Sequence, residues 1–194
     1  MFEILTTYLE RYQKLSAEET ALIKKTFLPK SIRKKKFFLL EGDIPKYAAF
    51  VCKGFLRSYL IDNKGKEHII QFAPENWWIS AKTGGSAQES PSTVFIDAIE
   101  DSELLLIDWP GHKLMLEKAP AYAKAFHTGI QKRAQAKENR IINSLAATAE
   151  QRYYEFLKTY PGIAQRAPQH MLASYLGVTA ETISRIRRKA VSKR

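Results

Sequence analysis

The hydrophobic pattern divides the chain into a helical opening, a stretch of short runs and a long helical remainder. Residues 1–28 read as helical. The segment SAEE at Ser16–Glu19 is a helix start: the Ser16 hydroxyl accepts a free backbone N–H and Glu19 reaches back to the chain before it. Leu22, Ile23 and Phe27 then share one helical face, and Pro29 is expected to stop the helix. From about Ile32 to Asp108 the pattern becomes short apolar or alternating runs rich in Phe, Val, Ile and Tyr: KKFFLLEGD, AAFVCKGFLRSYLID, KEHIIQFAPEN, STVFIDAIE and SELLLID. Glu41-Gly42-Asp43, Asp62-Asn63-Lys64-Gly65 and Glu100-Asp101 separate them as turns. Short strands at this spacing predict an antiparallel sandwich or barrel. IDNKGKE is a hairpin tip, with Asn63 and Gly65 supplying positive φ. The polar stretch ISAKTGGSAQESPS, residues 79–92, reads as a long loop, a common place for function.

Beyond Pro110 the pattern is helical. The longest stretch is Ala119–Leu145, with Pro120 suited to its first turn. Tyr122, Phe126, Ile130, Ala134, Lys137, Ile141 and Leu145 recur at three to four residues, a narrow seam suited to a partner helix. The seam either pairs with a second copy of the chain or packs on the chain's own barrel. Lys137 interrupts it and Gly129 weakens the helix. Thr148–Gly162 is the next helix, capped by Thr148 and ended by Pro161-Gly162.

The segment APQHMLASYLGVTAETISRIRRKAV fits two short helices, the first over about Pro168–Leu176 and the second after Val178 with Thr179 as N-cap. Gly177 stands where a tight turn between helices favours a residue without Cβ. Ala173, four residues earlier, allows a close crossing, and Ile183, six residues later, plugs the wedge. This small–glycine–aliphatic spacing is the signature of a helix-turn-helix. On the second helix Ile183, Ile186 and Ala190 share one side, while Glu181, Ser184, Arg185 and Arg188 share the other. Arg can donate twice to guanine O6 and N7, Glu can accept from cytosine N4, and Ser suits either edge. Arg187, Lys189, Lys193 and Arg194 are expected on phosphates, as are Thr182 and Gln169 near helix starts.

Charge strengthens this reading. The 194 residues carry a formal net charge of +11. From Arg166 to Arg194 seven basic residues face one acid, Glu181, a net of +6. Such a balance points to a polyanion, nucleic acid before membrane. A second basic run, KSIRKKK at Lys30–Lys36, reads as a solvated flank. The one cysteine, Cys52, sits in an apolar run and reads as a small core residue, which excludes an intrachain disulfide and a cysteine cluster for zinc or iron–sulfur. The N-terminus lacks the basic region of a signal peptide, and no apolar run approaches a bilayer-spanning length, so a cytoplasmic protein with no membrane partner is expected. The four histidines, 68, 112, 127 and 170, are scattered and share no metal-ligand spacing. With no Ser-His-Asp set and no Gly-rich phosphate loop, no enzyme, metal or cofactor is expected. A second reading has the C-terminal module bind a protein partner in place of DNA.

Taken together, the motifs resemble the CRP/FNR family of bacterial transcription regulators over nearly the whole chain, most strongly in LGVTAETISRIRR. The resemblance implies an α+β fold. It consists of an N-terminal antiparallel β jelly-roll barrel with its N-terminal helices over residues 1–118, a dimerisation helix over 119–146, and a C-terminal winged-type helix-turn-helix over 147–194. It implies a homodimer on double-stranded DNA, with RNA polymerase and a small-molecule effector as further partners. In the family, a Glu and an Arg four residues later together read a G·C pair; here they are Glu181 and Arg185. With Ser184 they form Glu-x-x-Ser-Arg, closer to the FNR branch than to the cyclic-AMP receptor branch, whose further base-reading Arg is replaced by Ala180. The implied DNA-binding set is Gln169, Thr179, Ala180, Glu181, Thr182, Ser184, Arg185, Arg188 and Lys189, and the implied dimer interface is Phe126, Ile130, Ala134, Lys137 and Ile141. A wing must come from residues before His170 or be reduced.

The effector end departs from the family. Its cyclic-nucleotide binders carry Gly-Glu and, further on, Arg-Ser or Arg-Thr, the Arg neutralising the phosphate. Here Pro74-Glu75 stands for the first and Pro91-Ser92-Thr93 for the second, with no Arg. A buried phosphate without a cation is costly, so cyclic nucleotide is not the expected effector. The FNR-type cysteine cluster is also missing. Glu75, Trp77, Trp78, Ser92 and Thr93 remain candidate ligand residues; the tryptophans either line an apolar pocket or pack in and over the barrel.

Overall fold

The computed structural model describes residues 1–81 and 90–191, with side chains through Lys189. Residues 82–89 of the expected loop, and Lys193 and Arg194, lie outside them.

Two short helices open the chain, α1 (Phe2–Glu10) and α2 (Ala17–Thr26). Ser16 caps α2 as its sequence predicts: its Oγ accepts the Glu19 N–H at 3.1 Å, and the Ser16 N–H donates to Glu19 Oε2 at 2.9 Å. The helical expectation for 1–28 is corrected in two places. Residues 11–16 separate the helices, and the chain is already extended at Phe27, before Pro29.

Among the described residues eight strands follow: β1 (Leu28–Ile32), β2 (Phe37–Leu39), β3 (Tyr47–Lys53), β4 (Leu56–Ile61), β5 (Glu67–Ala73), β6 (Trp78–Ile79), β7 (Phe95–Ala98) and β8 (Ser102–Asp108). They form two four-stranded antiparallel sheets in the orders β1-β8-β3-β6 and β2-β7-β4-β5, the strand order of a jelly roll. β1 runs through part of the basic run that reads as a flank. It lies at a sheet edge, where Pro29, lacking an N–H, is tolerated opposite Leu105. β6 also escapes the sequence pattern; it has two residues and pairs with β3. At the β4–β5 turn Gly65 has φ +77°, but Asn63 stays outside the positive-φ region, contrary to expectation. The Asp62 carboxylate serves the turn instead, accepting the Lys64 and Lys66 N–H groups.

Alternation along β3 and β8 explains why the first sheet is buried on both faces. Ala49, Val51, Leu104 and Leu106 point into the barrel with Leu56, Ile79, Ile96 and Ala98. Phe50, Cys52, Leu105 and Ile107 point outward onto Leu5, Leu9, Ile23, Phe27, Met115 and Tyr122. Cys52 is thus a core residue, and burial pushes its thiol up to about 11.

The helices after the barrel are α3 (Trp109–Lys118), α4 (Pro120–Ala146), α5 (Ala149–Thr159), α6 (Pro161–Arg166), α7 (Gln169–Leu176) and α8 (Ala180–Val191). Glu19 also accepts the Ala121 N–H at the start of α4, at 3.1 Å. Thr148 caps α5 with a reciprocal Gln151 bond. Pro161 does not merely end that helix: it opens α6, in a first turn where its missing N–H costs nothing. Among the described residues there is no strand after Asp108, hence no strand of a wing.

The chain forms two compact units, residues 1–59 with 72–132, and residues 60–71 with 133–194. They do not follow chain order: the hairpin tip 60–71 groups with the C-terminal helices. There Ser174 Oγ accepts the Ile69 N–H at 2.9 Å and donates to the Glu67 carbonyl at 2.8 Å. Arg140 donates to the Ile69 and Ile70 carbonyls, each at 3.0 Å, and stacks on Tyr175 with its guanidinium carbon 4.0 Å from the ring centroid.

Candidate nucleic-acid interface

The candidate site is the α7–α8 pair. Gly177 ends α7 in the left-handed conformation, φ +66° and ψ +38°, and its N–H closes back on Ala173 and Ser174. A Cβ there meets nothing within 4 Å, so glycine is favoured by backbone conformation rather than by space. The Val178 N–H donates to the Ala173 carbonyl at 3.0 Å. Thr179 then caps α8, its Oγ1 accepting the Thr182 N–H at 3.2 Å and lying 3.1 Å from Thr182 Oγ1.

The crossing is held as its residue spacing predicts. Ile183 is fully buried, Ala173 is buried, and both pack with Ile186 and Tyr153 of α5; Ala149, Leu157, Leu176 and Val178 close the cluster. Burying Ile183 and Ile186 turns Glu181, Arg185, Arg188 and Lys189 to the exposed side of α8. The Glu181 N–H and the Thr179 hydroxyl hold the Glu181 carboxyl below its ordinary value. At neutral pH it is therefore an anion that can only accept hydrogen bonds.

Beyond the Thr179–Thr182 pair, other expected contact residues also bond within the chain. Gln169 is half-buried, and its Nε2 donates to the Ala180 carbonyl at 2.9 Å and to Ser184 Oγ at 2.8 Å. Arg187, read from sequence as a phosphate contact, is exposed, donates from Nε to the Tyr153 hydroxyl at 2.7 Å and lies over that ring. Sequence reasoning missed Tyr153 because nothing in the period of α5 marks the residue that α8 will meet.

The long-helix seam divides. Tyr122 is buried in its own chain's core, and Phe126 packs half-buried on His112 and Tyr122. Ile130 is half-buried, while Ala134, Lys137 and Ile141 are exposed. Ile141, Ile142 and Leu145 are 61%, 51% and 84% exposed, a run of apolar groups too open to be explained by packing within one chain.

The candidate ligand residues do not converge. Glu75 accepts the Gly54 N–H at 2.9 Å. Trp78 packs among Phe27, Phe50 and Tyr122, and Trp77 lies against the barrel core. Ser92 is buried and bonds both the N–H and the carbonyl of Val94, while Thr93 is exposed. None of the five lines the open groove of about 450 Å³ formed by Phe38, Leu39 and the 43–47 segment. Arg57, one of two arginines in the strand region, is committed to a buried bidentate pair with Asp97, at 2.8 and 2.9 Å.

No protein-family model matches the chain, and no curated protein matches it. Solved structures do. FixK2 from Bradyrhizobium japonicum is 20% identical, with 86% of this chain and 85% of that one covered and a TM-score of 0.74. CLP from Xanthomonas campestris, a c-di-GMP-responsive global regulator, is 13% identical, with 92% and 93% covered and a TM-score of 0.74. A chain from Eubacterium rectale, assigned to the crp/fnr family of transcriptional regulators, is 18% identical, with 96% and 88% covered and a TM-score of 0.69. At such identities the likeness establishes architecture. The chain therefore has the fold of CRP/FNR-type regulators: jelly-roll barrel, long helix and C-terminal helix-turn-helix.

Proposed function

We propose that the chain is a homodimeric, sequence-specific DNA-binding transcription regulator of the CRP/FNR type, not controlled by cyclic nucleotide. The observation that carries the reading is the orientation of α8. Ile183 and Ile186 are buried against α5 and α7, which leaves Glu181 and Arg185 on the open face, and the sequence of the last 29 residues carries a net +6. Glu181 and Arg185 read bases; Arg188, Lys189, Thr179 and Thr182 flank them toward the backbone. The exposed Ile141, Ile142 and Leu145 support dimerisation along α4. Two recognition helices then enter successive major grooves about 34 Å apart on a near-palindromic site.

The test is a selection of bound duplexes with purified full chain, followed by affinity against salt. A symmetric consensus is expected. Affinity for random duplex should fall by about 10³-fold or more between 50 and 200 mM salt if six or more phosphates are neutralised. A flat curve with no consensus favours a protein partner for this module. The cyclic-nucleotide part rests on the cassette without Arg and on Arg57 being held by Asp97. Titration calorimetry with cyclic AMP and cyclic GMP should show no heat of binding; micromolar binding of either overturns it.

A further inference from the structure

We infer that Gln169 is a positioning residue that sets what Ser184 offers to a base, rather than a phosphate contact. The inference rests on α8 being the DNA-reading helix. Gln169 opens α7, and its Nε2 is shared between the Ala180 carbonyl and Ser184 Oγ on α8. Its Oε1 faces Arg187 Nη1 at 3.5 Å. Chemistry fixes which way round the amide lies. A carbonyl oxygen only accepts and a guanidinium only donates, so the nitrogen must face Ala180 and the oxygen Arg187. Arg187 is itself held by the Tyr153 hydroxyl, so the amide oxygen's partner is anchored in turn.

The consequence falls on Ser184. One of its lone pairs accepts from Gln169, and its hydroxyl hydrogen remains to be donated. The usual internal acceptor for a helical serine is the carbonyl four residues back, here Ala180, and the two lone pairs of that oxygen already take the Gln169 amide and, in the α-helix, the Ser184 N–H. The hydrogen is therefore directed off the helix, beside the exposed Glu181 and Arg185. A serine by itself suits either kind of base edge. Clamped this way it presents a donor, selecting an acceptor edge: guanine O6 or N7, thymine O4, or adenine N7. A side chain that touches no base thus determines specificity at one base pair.

The experiment uses the full-length protein and the half-site found by duplex selection. Ser184→Ala defines the base pair that Ser184 reads, as the position whose preference it relaxes. Gln169→Ala is expected to relax that same position, roughly tenfold, and no other, while affinity for random duplex is unchanged. In the Ser184→Ala background Gln169→Ala should change nothing further. Gln169→Glu, which can only accept, should take the Ser184 hydrogen and shift the preference toward a base offering a donor, cytosine N4 or adenine N6. Circular-dichroism melting checks that each variant is folded; should Gln169→Glu not fold, Gln169→Ala and the double variant decide. A uniform loss of affinity on all duplexes with Gln169→Ala, or an unchanged preference at the Ser184 position, overturns the inference. So does a Ser184→Ala variant that relaxes no position. If the wild type selects no duplex, the DNA reading itself falls and the inference with it.

Discussion

Arg185 and Ile183 lie two residues apart, and their roles separate cleanly. Arg185 is exposed, so Arg185→Ala should leave folding intact and relax base preference by about 1–3 kcal/mol per half-site, seen in duplex selection. Ile183 is fully buried, so Ile183→Ala should cost about 2–5 kcal/mol, read from the denaturant midpoint, and weaken all DNA binding together. The Arg57–Asp97 pair has the opposite chemistry and a similar cost. Asp97→Ala strands a buried guanidinium and should destabilise by about 3–5 kcal/mol, whereas replacing both by apolar residues of similar volume should recover much of it. His112 predicts a pH dependence. It is buried 2.6 Å from the Tyr122 hydroxyl, and desolvation lowers its pKa below the ordinary value of about 6.5. The unfolded chain therefore binds the proton first, and stability is lost as pH falls below about 6.5, until the folded group also titrates. Thermal midpoints between pH 8 and pH 5 should fall more for the wild type than for His112→Gln.

Local order was legible wherever a few consecutive residues decide it. The Ser16–Glu19 capping box and the Thr148 cap each act within four residues, the Ala173–Gly177–Ile183 wedge spans eleven, and all need only helix geometry. The elements missed are those made by distant partners. β6 exists because Trp78 and Ile79 meet β3, and β1 because an edge place beside β8 tolerates Pro29 and Lys30. Within α4, Gly129 has open space around its Cβ position, so Gly129→Ala should stabilise the helix by about 0.5–1 kcal/mol. The C-terminal end of the same helix carries the exposed apolar run. Under the dimer proposal, Leu145→Glu should yield a monomer in sedimentation equilibrium while the helical content stays unchanged.

For the whole molecule, the composition of the C-terminal unit matters most. The hairpin tip 60–71 belongs to it, tied by Ser174 and Arg140 to the backbone of Glu67, Ile69 and Ile70. A fragment cut at the sequence-derived boundary, beginning at Ala119, lacks that hairpin and exposes the Tyr175–Arg140 stack. It should melt below the corresponding transition of the full chain in calorimetry. Ser174→Ala in the full chain should cost about 1–3 kcal/mol, since it removes the hydroxyl that bonds the Ile69 N–H and the Glu67 carbonyl.

The sequence by itself determined the order of barrel, long helix and helix-turn-helix, the crossing of α7 and α8, and the residues on the exposed face of α8. These follow from periodicity, capping and backbone conformation, which act over a turn or two of chain. Only the tertiary structure decided that Gln169 bonds Ser184, that Arg187 meets Tyr153, that Glu75, Trp77 and Trp78 bond to or pack on the barrel, and that a barrel hairpin joins the C-terminal helices. Each of those is a hydrogen bond or packing contact between residues far apart in the chain or on different helices. Its partner is set by how the elements cross, which no local pattern of hydrophobic and polar positions encodes.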